Sequence, residues 1–183
     1  TTVQEFDRTG NLISETGPRG GVTRYAYDQA TGALTKRTGP EGEERQFGYD
    51  VYGYLTTVTD LGESEEREKE YRRDPYGRLT DVYGEEGYHM GYTYDYNGKL
   101  RELTRLPGTG GERTVREWDY TVDGLLTAER YSEAGQEHRK LFAYDIAGML
   151  ETETNFRGQP VTYQYDSAGR INGITYPDGT GYT

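Results

Sequence analysis

Apolar residues in this chain fall in short runs with a period of two. Aromatic pairs stand two apart at Tyr25 and Tyr27, Phe47 and Tyr49, Tyr92 and Tyr94, Trp118 and Tyr120, Phe142 and Tyr144, and Tyr163 and Tyr165. Side chains two apart share one face of a strand, so each run predicts a β-strand with its aromatic pair on one side. The residues between the pairs (Ala26, Gly48, Thr93, Asp119, Ala143, Gln164) are small or polar and belong to the other face. Neighbouring pairs are expected to form aromatic ladders. Between Leu55 and Val58, Leu79 and Val82, and Ile171 and Ile174 the apolar spacing is three, not two. That spacing reads either as a bulge or as an apolar residue facing outward.

What separates the runs is a phrase, aromatic-Asp-x-x-Gly-x-Leu, that returns every 21 to 26 residues. It stands as Phe6-Asp7 with Gly10 and Leu12, Tyr49-Asp50 with Gly53 and Leu55, and Tyr94-Asp95 with Gly98 and Leu100. It returns as Tyr144-Asp145 with Gly148 and Leu150, and as Tyr165-Asp166 with Gly169 and Ile171. Three copies are imperfect. Tyr27-Asp28 has one extra residue before Gly32, Arg73 replaces the aromatic before Asp74 and Gly77, and Thr121 replaces the Asp before Gly124. Eight copies at a near-constant period predict a repeat architecture over residues 1–183. Asp at the first position and Gly at the fourth suit a type I turn, because the carboxylate can accept backbone N–H groups two residues on. The Gly supplies the positive φ of a G1 bulge. The expected structural turn residues are therefore Asp7, Gly10, Asp28, Gly32, Asp50, Gly53, Asp74, Gly77, Asp95, Gly98, Gly124, Asp145, Gly148, Asp166 and Gly169.

A second set of turns alternates with the first. It includes Gly17-Pro18-Arg19-Gly20, Gly39-Pro40-Glu41-Gly42, Asp60-Leu61-Gly62, Gly84-Glu85-Glu86-Gly87, Leu106-Pro107-Gly108, Glu133-Ala134-Gly135 and Phe156-Arg157-Gly158. One repeat is thus strand, turn, strand, turn, and the fold class is all-β: tandem antiparallel hairpins in a curved, ribbon-like sheet.

Tandem Tyr-Asp-x-x-Gly-x-Leu resembles the YD repeat of Rhs proteins, also found in the shells of Tc toxins, bacterial wall-associated toxins and teneurins. The resemblance covers the chain from Phe6 to Tyr182. It implies a ribbon of hairpins spiralling into a hollow shell around a C-terminal toxin passenger. It also implies a secreted or cell-surface bacterial setting, with neighbouring repeats of the same parent protein and an enclosed toxin domain as partners. Eight repeats give about 16 strands and, at about 4.8 Å each, a sheet about 75 Å long. Closed on itself, such a sheet is too narrow to hold a folded domain. The chain is therefore expected to be one stretch of wall in a larger protein.

Composition narrows the alternatives. Only 32% of residues are hydrophobic, against 19 Tyr and 26 Gly. Tyrosine must supply most of the apolar area, and it can bury its ring while keeping its hydroxyl wet. A net charge of −11 and the lack of a basic stripe argue against a nucleic-acid partner. Without cysteine there is no disulfide scaffold, and no apolar run approaches the length of a membrane span. The segment Glu63-Ser64-Glu65-Glu66-Arg67-Glu68-Lys69-Glu70 is charged throughout and reads as a solvated or edge strand, with partner docking as the sharper alternative.

Candidate chemistry is sparse. Ser132, His138 and Asp145 are of triad types but lack a nucleophile elbow. Asp95-Tyr96-Asn97-Gly98 lacks the further oxygen ligands of a calcium loop. Asp74-Pro75-Tyr76-Gly77-Arg78-Leu79 resembles the Asp-Pro-x-Gly-Leu autoproteolysis motif of Rhs cores, but Arg78 intervenes and the segment is in frame as the fourth repeat. No catalytic, cofactor or metal residue is expected, and the chain is read as non-enzymatic. The alternative function is an extracellular binding module for carbohydrate or protein, using exposed tyrosine rows.

Overall fold

The computed structural model describes residues 1–62, 65–133 and 135–182. The expectations placed on Glu63, Ser64 and Ala134 lie outside these residues. Among the described residues there are seventeen strands, a single 3₁₀ turn at Glu85–Gly87 and no α-helix. The chain is all-β. It divides into two compact units, one of residues 1–89 with 108–110 and one of residues 90–107 with 111–183.

The first unit contains β1 (Val3–Phe6), β2 (Leu12–Thr16), β3 (Val22–Tyr27), β4 (Leu34–Thr38), β5 (Glu44–Tyr49), β6 (Leu55–Leu61), β7 (Glu66–Arg73) and β8 (Leu79–Tyr83). Each strand pairs antiparallel with the next. Strand β9 (Tyr88–Tyr94) follows. The second unit then runs through β10 (Leu100–Pro107), β11 (Thr114–Tyr120), β12 (Leu126–Glu133), β13 (Gln136–Tyr144), β14 (Leu150–Thr154), β15 (Pro160–Tyr165), β16 (Ile171–Thr175) and β17 (Gly181–Tyr182). It is the same meander. In a meander alternate turns fall on opposite edges, so the Asp turns of each unit share one edge and the second turns share the other.

The three-residue apolar spacing is a bulge. Tyr49 lies opposite Leu55, Gly48 opposite Thr57 and Phe47 opposite Val58, which leaves Thr56 as the extra residue. Residues directly opposite share a face, so Leu55 and Val58 both stand beside the aromatic pair. The same shift puts Tyr71 against Val82 with Arg73 against Leu79, and Tyr163 against Ile174 with Tyr165 against Ile171. It recurs in the hairpins at Phe6, Tyr27, Tyr120 and Tyr144.

The aromatic pairs are half-buried, while Ala26, Thr93, Ala143 and Gln164 between them are exposed. The alternation read from the sequence is therefore the face assignment of the sheet. Burial goes no deeper than one layer. Among the described residues the buried hydrophobic side chains are Val82 and Ala128, and no large side chain is fully buried. The aromatic face also carries ion pairs. Arg45, two residues before Phe47, sits opposite Asp60 and bonds it through its guanidinium. Lys140 reaches Glu153 at 2.7 Å with its ammonium 4.9 Å from the Phe142 ring.

Two expectations are corrected. Of the two readings of the charged segment the solvated one agrees with the exposed start of β7 and the edge one is corrected, because β6 and β8 pair with this strand on both sides. Its exposed glutamates are accommodated because a one-layer sheet leaves each face open to water. Continuous ring-on-ring ladders are also not found among the described residues. The ring contacts among the described residues are Tyr83–His89, Tyr131–His138 and Tyr131–Phe156. A Leu or Ile from the intervening strand stands opposite each phrase aromatic and separates the rings of successive repeats.

Candidate functional site

The recurring constellation is the Asp turn. In the first copy the Gly10 amide donates to the Asp7 carbonyl (3.2 Å) and the Asp7 amide to the Asn11 carbonyl (2.9 Å). Gly10 has φ +89°, so this is a type I turn with a G1 bulge. The Asp7 carboxylate accepts the amides of Thr9 (2.8 Å) and Asn11 (2.9 Å). Asp50, Asp74, Asp95, Asp145 and Asp166 repeat this two-amide grip on the residues two and four positions on. Gly53, Gly77, Gly98, Gly124, Gly148 and Gly169 all have φ between +75° and +83°. In the longer turn the Asp28 amide reaches the Ala33 carbonyl at 2.8 Å, and Gly32 takes φ +73°. Thr121 substitutes a hydroxyl that accepts the Leu125 amide at 3.0 Å. The second turns reuse the geometry, and Asn155 accepts the amides of Arg157 and Gln159 as an Asp would.

These bonds favour the ionised carboxylate. The Thr9 hydroxyl and the Asn11 amide pull Asp7 down to about 2. Thr31 lowers Asp28, the Arg170 amide and guanidinium lower Asp166, and Thr180 lowers Asp178.

Two kinds of contact tie turns to neighbouring repeats. First, the phrase tyrosine donates its hydroxyl to the carbonyl of the phrase leucine one repeat earlier. Tyr27 reaches Leu12 (2.9 Å), Tyr120 reaches Leu100 (2.9 Å), Tyr144 reaches Leu126 (2.8 Å) and Tyr165 reaches Leu150 (2.9 Å). Burial raises the phenol pKa at Tyr27, Tyr120 and Tyr144, keeping the donor proton in place. Second, at Gly77, Gly124, Gly148 and Gly169 the residue after the preceding turn glycine leans over the turn glycine of the next repeat, whereas Gly32 and Gly53 have nothing within 4 Å. A β-carbon at Gly77 would stand 2.5 Å from Tyr54 Oη, and one at Gly124 would stand 2.5 Å from Lys99 Cε. At Gly148 and Gly169 the neighbours are Leu125 Cδ1 and Met149 Sδ, at 3.8 and 3.7 Å. The sequence holds one hint of the hydroxyl contact, the constancy of both the Tyr and the Leu. Nothing in it connects two residues whose separation varies from 15 to 20.

The candidate chemical groups are not assembled. His138 lies opposite Tyr131 and stacks on it at 4.7 Å, and Ser132 lies opposite Glu137. From His138 the strand runs roughly 20 Å to Asp145 in the turn. His89 stacks on Tyr83 at 4.5 Å and bonds Asp81 at 2.9 Å. The Asp95 carboxylate is engaged by the amides of Asn97 and Lys99. Asp74 takes the Tyr76 and Arg78 amides and the Arg78 Nε (2.7 Å), the turn geometry of the other copies. Among the described residues no cluster of three or more His, Cys, Asp or Glu is placed to hold a metal ion. No helix among them is long and apolar enough to cross a membrane.

The family model of the RHS Repeat matches residues 6–31, 30–64 and 144–180, together more than half of the chain. The chain belongs to the RHS repeat family. Solved structures extend the likeness over nearly all of this RHS-repeat chain. The crystal structure of TcdB2-TccC3-Cdc42 matches with a TM-score of 0.57 at 15% identity, covering 95% of this chain and 12% of that one. The Photorhabdus luminescens Tc holotoxin pore matches at 0.54 and 15% identity, covering 96% and 13%. TcdB2-TccC3 without its hypervariable C-terminal region matches at 0.50 and 16% identity, covering 95% and 12%. At such identities the likeness is one of fold, and the RHS-repeat chain spans about an eighth of the length of these proteins. No curated protein matches it in sequence.

Proposed function

We propose that this chain is a non-catalytic wall segment of an Rhs-type β-shell in a secreted bacterial protein, and that the shell encloses or shields a toxin passenger. The observation that carries the reading is the set of contacts joining turns to neighbouring repeats, the tyrosine hydroxyls on leucine carbonyls and the side chains packed over turn glycines. The polar groups of the phrase, the Asp carboxylate and the Tyr hydroxyl, bond backbone. They act on the chain itself rather than on a substrate. Family membership and the likeness to Tc toxin structures support the same reading. The phrase tyrosines are half-buried and bonded to leucine carbonyls, which favours wall over an adhesive tyrosine row.

Deletion of two whole repeats from the parent protein tests the proposal. The expected result is a downstream passenger that is active when assayed alone yet protease-sensitive or undelivered in context. Normal shielding and delivery by the shortened protein would overturn it.

A further inference from the structure

The fourth repeat departs from the phrase at one position. Arg73 stands where the other seven copies have an aromatic residue. It closes β7 opposite Leu79, so its side chain lies on the aromatic face. The guanidinium Cζ is 5.3 Å from the centroid of the Tyr54 ring. Its Nη1 is closed off from solvent and has no hydrogen-bond partner. The two carboxylates nearby are already engaged. Asp50 accepts the amides of Tyr52 and Tyr54, and Asp74 holds the Tyr76 and Arg78 amides together with the Arg78 side chain. Arg73 lines a cleft of about 790 Å³ with Tyr52, Tyr54, Tyr71 and Tyr76. Tyr52 and Tyr76 are 83% and 82% exposed; the Arg78 guanidinium carbon lies 5.2 Å from the Tyr76 ring centroid, which leaves the Tyr52 ring and one face of Tyr76 to receive a ligand.

We propose that this cleft binds a small monocarboxylate carried on a six-membered ring with an apolar face, of the kind that ends a uronic-acid saccharide. The carboxylate pairs with the Arg73 guanidinium in a charge-assisted, fork-like contact, and the ring lies against tyrosine. Because Nη1 is closed off from solvent, the carboxylate meets the other guanidinium nitrogens from the cleft side. The volume lies within the roughly 300–1,000 Å³ of small-molecule sites. A net charge of −11 repels polyanions at long range but leaves a single carboxylate at contact distance to the local cation. The site is independent of the wall reading, since no other copy of the phrase carries a cation at this position.

Titration of the full chain with glucuronate, its uncharged methyl ester and benzoate, followed by ligand-observed NMR, tests the proposal. Glucuronate binding at millimolar concentration is expected. It should weaken about tenfold or more in Arg73→Tyr, which restores the phrase, and by a similar factor in the methyl ester. Tyr76→Ala, at an exposed position, should weaken it severalfold and serves as the readout if Arg73→Tyr does not fold. Benzoate binding that depends on Arg73 while glucuronate fails would keep the carboxylate site and assign the ring to an aromatic acid. Binding of neither acid, binding undiminished in both variants, or equal binding of the ester overturns the proposal.

Discussion

Gly77→Ala and Gly148→Ala form a matched pair. Both glycines have φ +80°, so the backbone penalty of adding a β-carbon is the same at each. An L-residue in the left-handed region costs about 1–2 kcal/mol. The stiffer unfolded chain returns about 0.4–1 kcal/mol, leaving a net cost of about 1 kcal/mol. At Gly148 the new methyl meets Leu125 Cδ1 at 3.8 Å, an ordinary contact. At Gly77 it falls 2.5 Å from Tyr54 Oη and 2.8 Å from Tyr54 Cζ. The ring must retreat by about 1 Å and loses dispersion contacts. It also gives up part of its cation–π contact with Arg73, worth about 0.5–1 kcal/mol. Gly77→Ala should therefore cost about 2 kcal/mol, against about 1 kcal/mol for Gly148→Ala. In a Tyr54→Ala background the excess should disappear, a coupling of about 1 kcal/mol in a double-mutant cycle. Urea unfolding followed by far-UV circular dichroism, fitting midpoint and slope for each variant, measures all four corners. Equal costs at the two glycines, or a Gly77→Ala cost that Tyr54→Ala leaves unchanged, would refute the inter-repeat contact.

Tyr144→Phe removes the hydroxyl from the Leu126 carbonyl and should cost about 1 kcal/mol, whereas Tyr52→Phe at an exposed turn tip should cost almost nothing; parity would deny the hydroxyl contact its role. Thr121→Asp restores the second accepted amide and should raise stability by about 0.5 kcal/mol, read as a higher urea midpoint. The pH dependence follows from the depressed carboxylates Asp7, Asp28, Asp166 and Asp178. Their folded pKa values lie below the unfolded one, so their contribution is fully present above about pH 5. It is lost as pH falls through the folded values, near 2 for Asp7. Thermal midpoints should therefore be flat from neutrality to about pH 5 and then fall, and Asp7→Asn should lessen the fall.

The strands, their faces and the turn positions were legible because each rests on local chemistry: period-two aromatics, Asp at one end of a turn and Gly at the other. The bulge was visible only as an anomaly, since Leu55 and Val58 are three apart whether the extra residue is Thr56 or an outward apolar side chain. Pairing register decides it, and register belongs to two strands at once. The Tyr144–Leu126 bond and the lean of Tyr54 over Gly77 were not legible for the same reason. Each joins repeats whose connecting loops differ in length, so no fixed offset betrays it. Arg45 and Asp60 escaped because charge on an aromatic face contradicts the pattern rule, which presumes a dry interior that a one-layer sheet does not have.

The Asp turns also act as punctuation against errors of length. In a strand, one residue gained or lost turns every later side chain to the opposite face. Here such a slip can travel only as far as the next turn, where the carboxylate grip and the left-handed glycine fix the phase afresh. The extra residue ahead of Gly32 shows the containment. The turn widens so that Asp28 bonds Ala33, and Tyr27 still meets Leu34. Lineages carrying this fold should accordingly tolerate single-residue insertions at the edges and lose or gain whole repeats more readily than half ones, because only a whole repeat returns the chain to the same edge in the same phase.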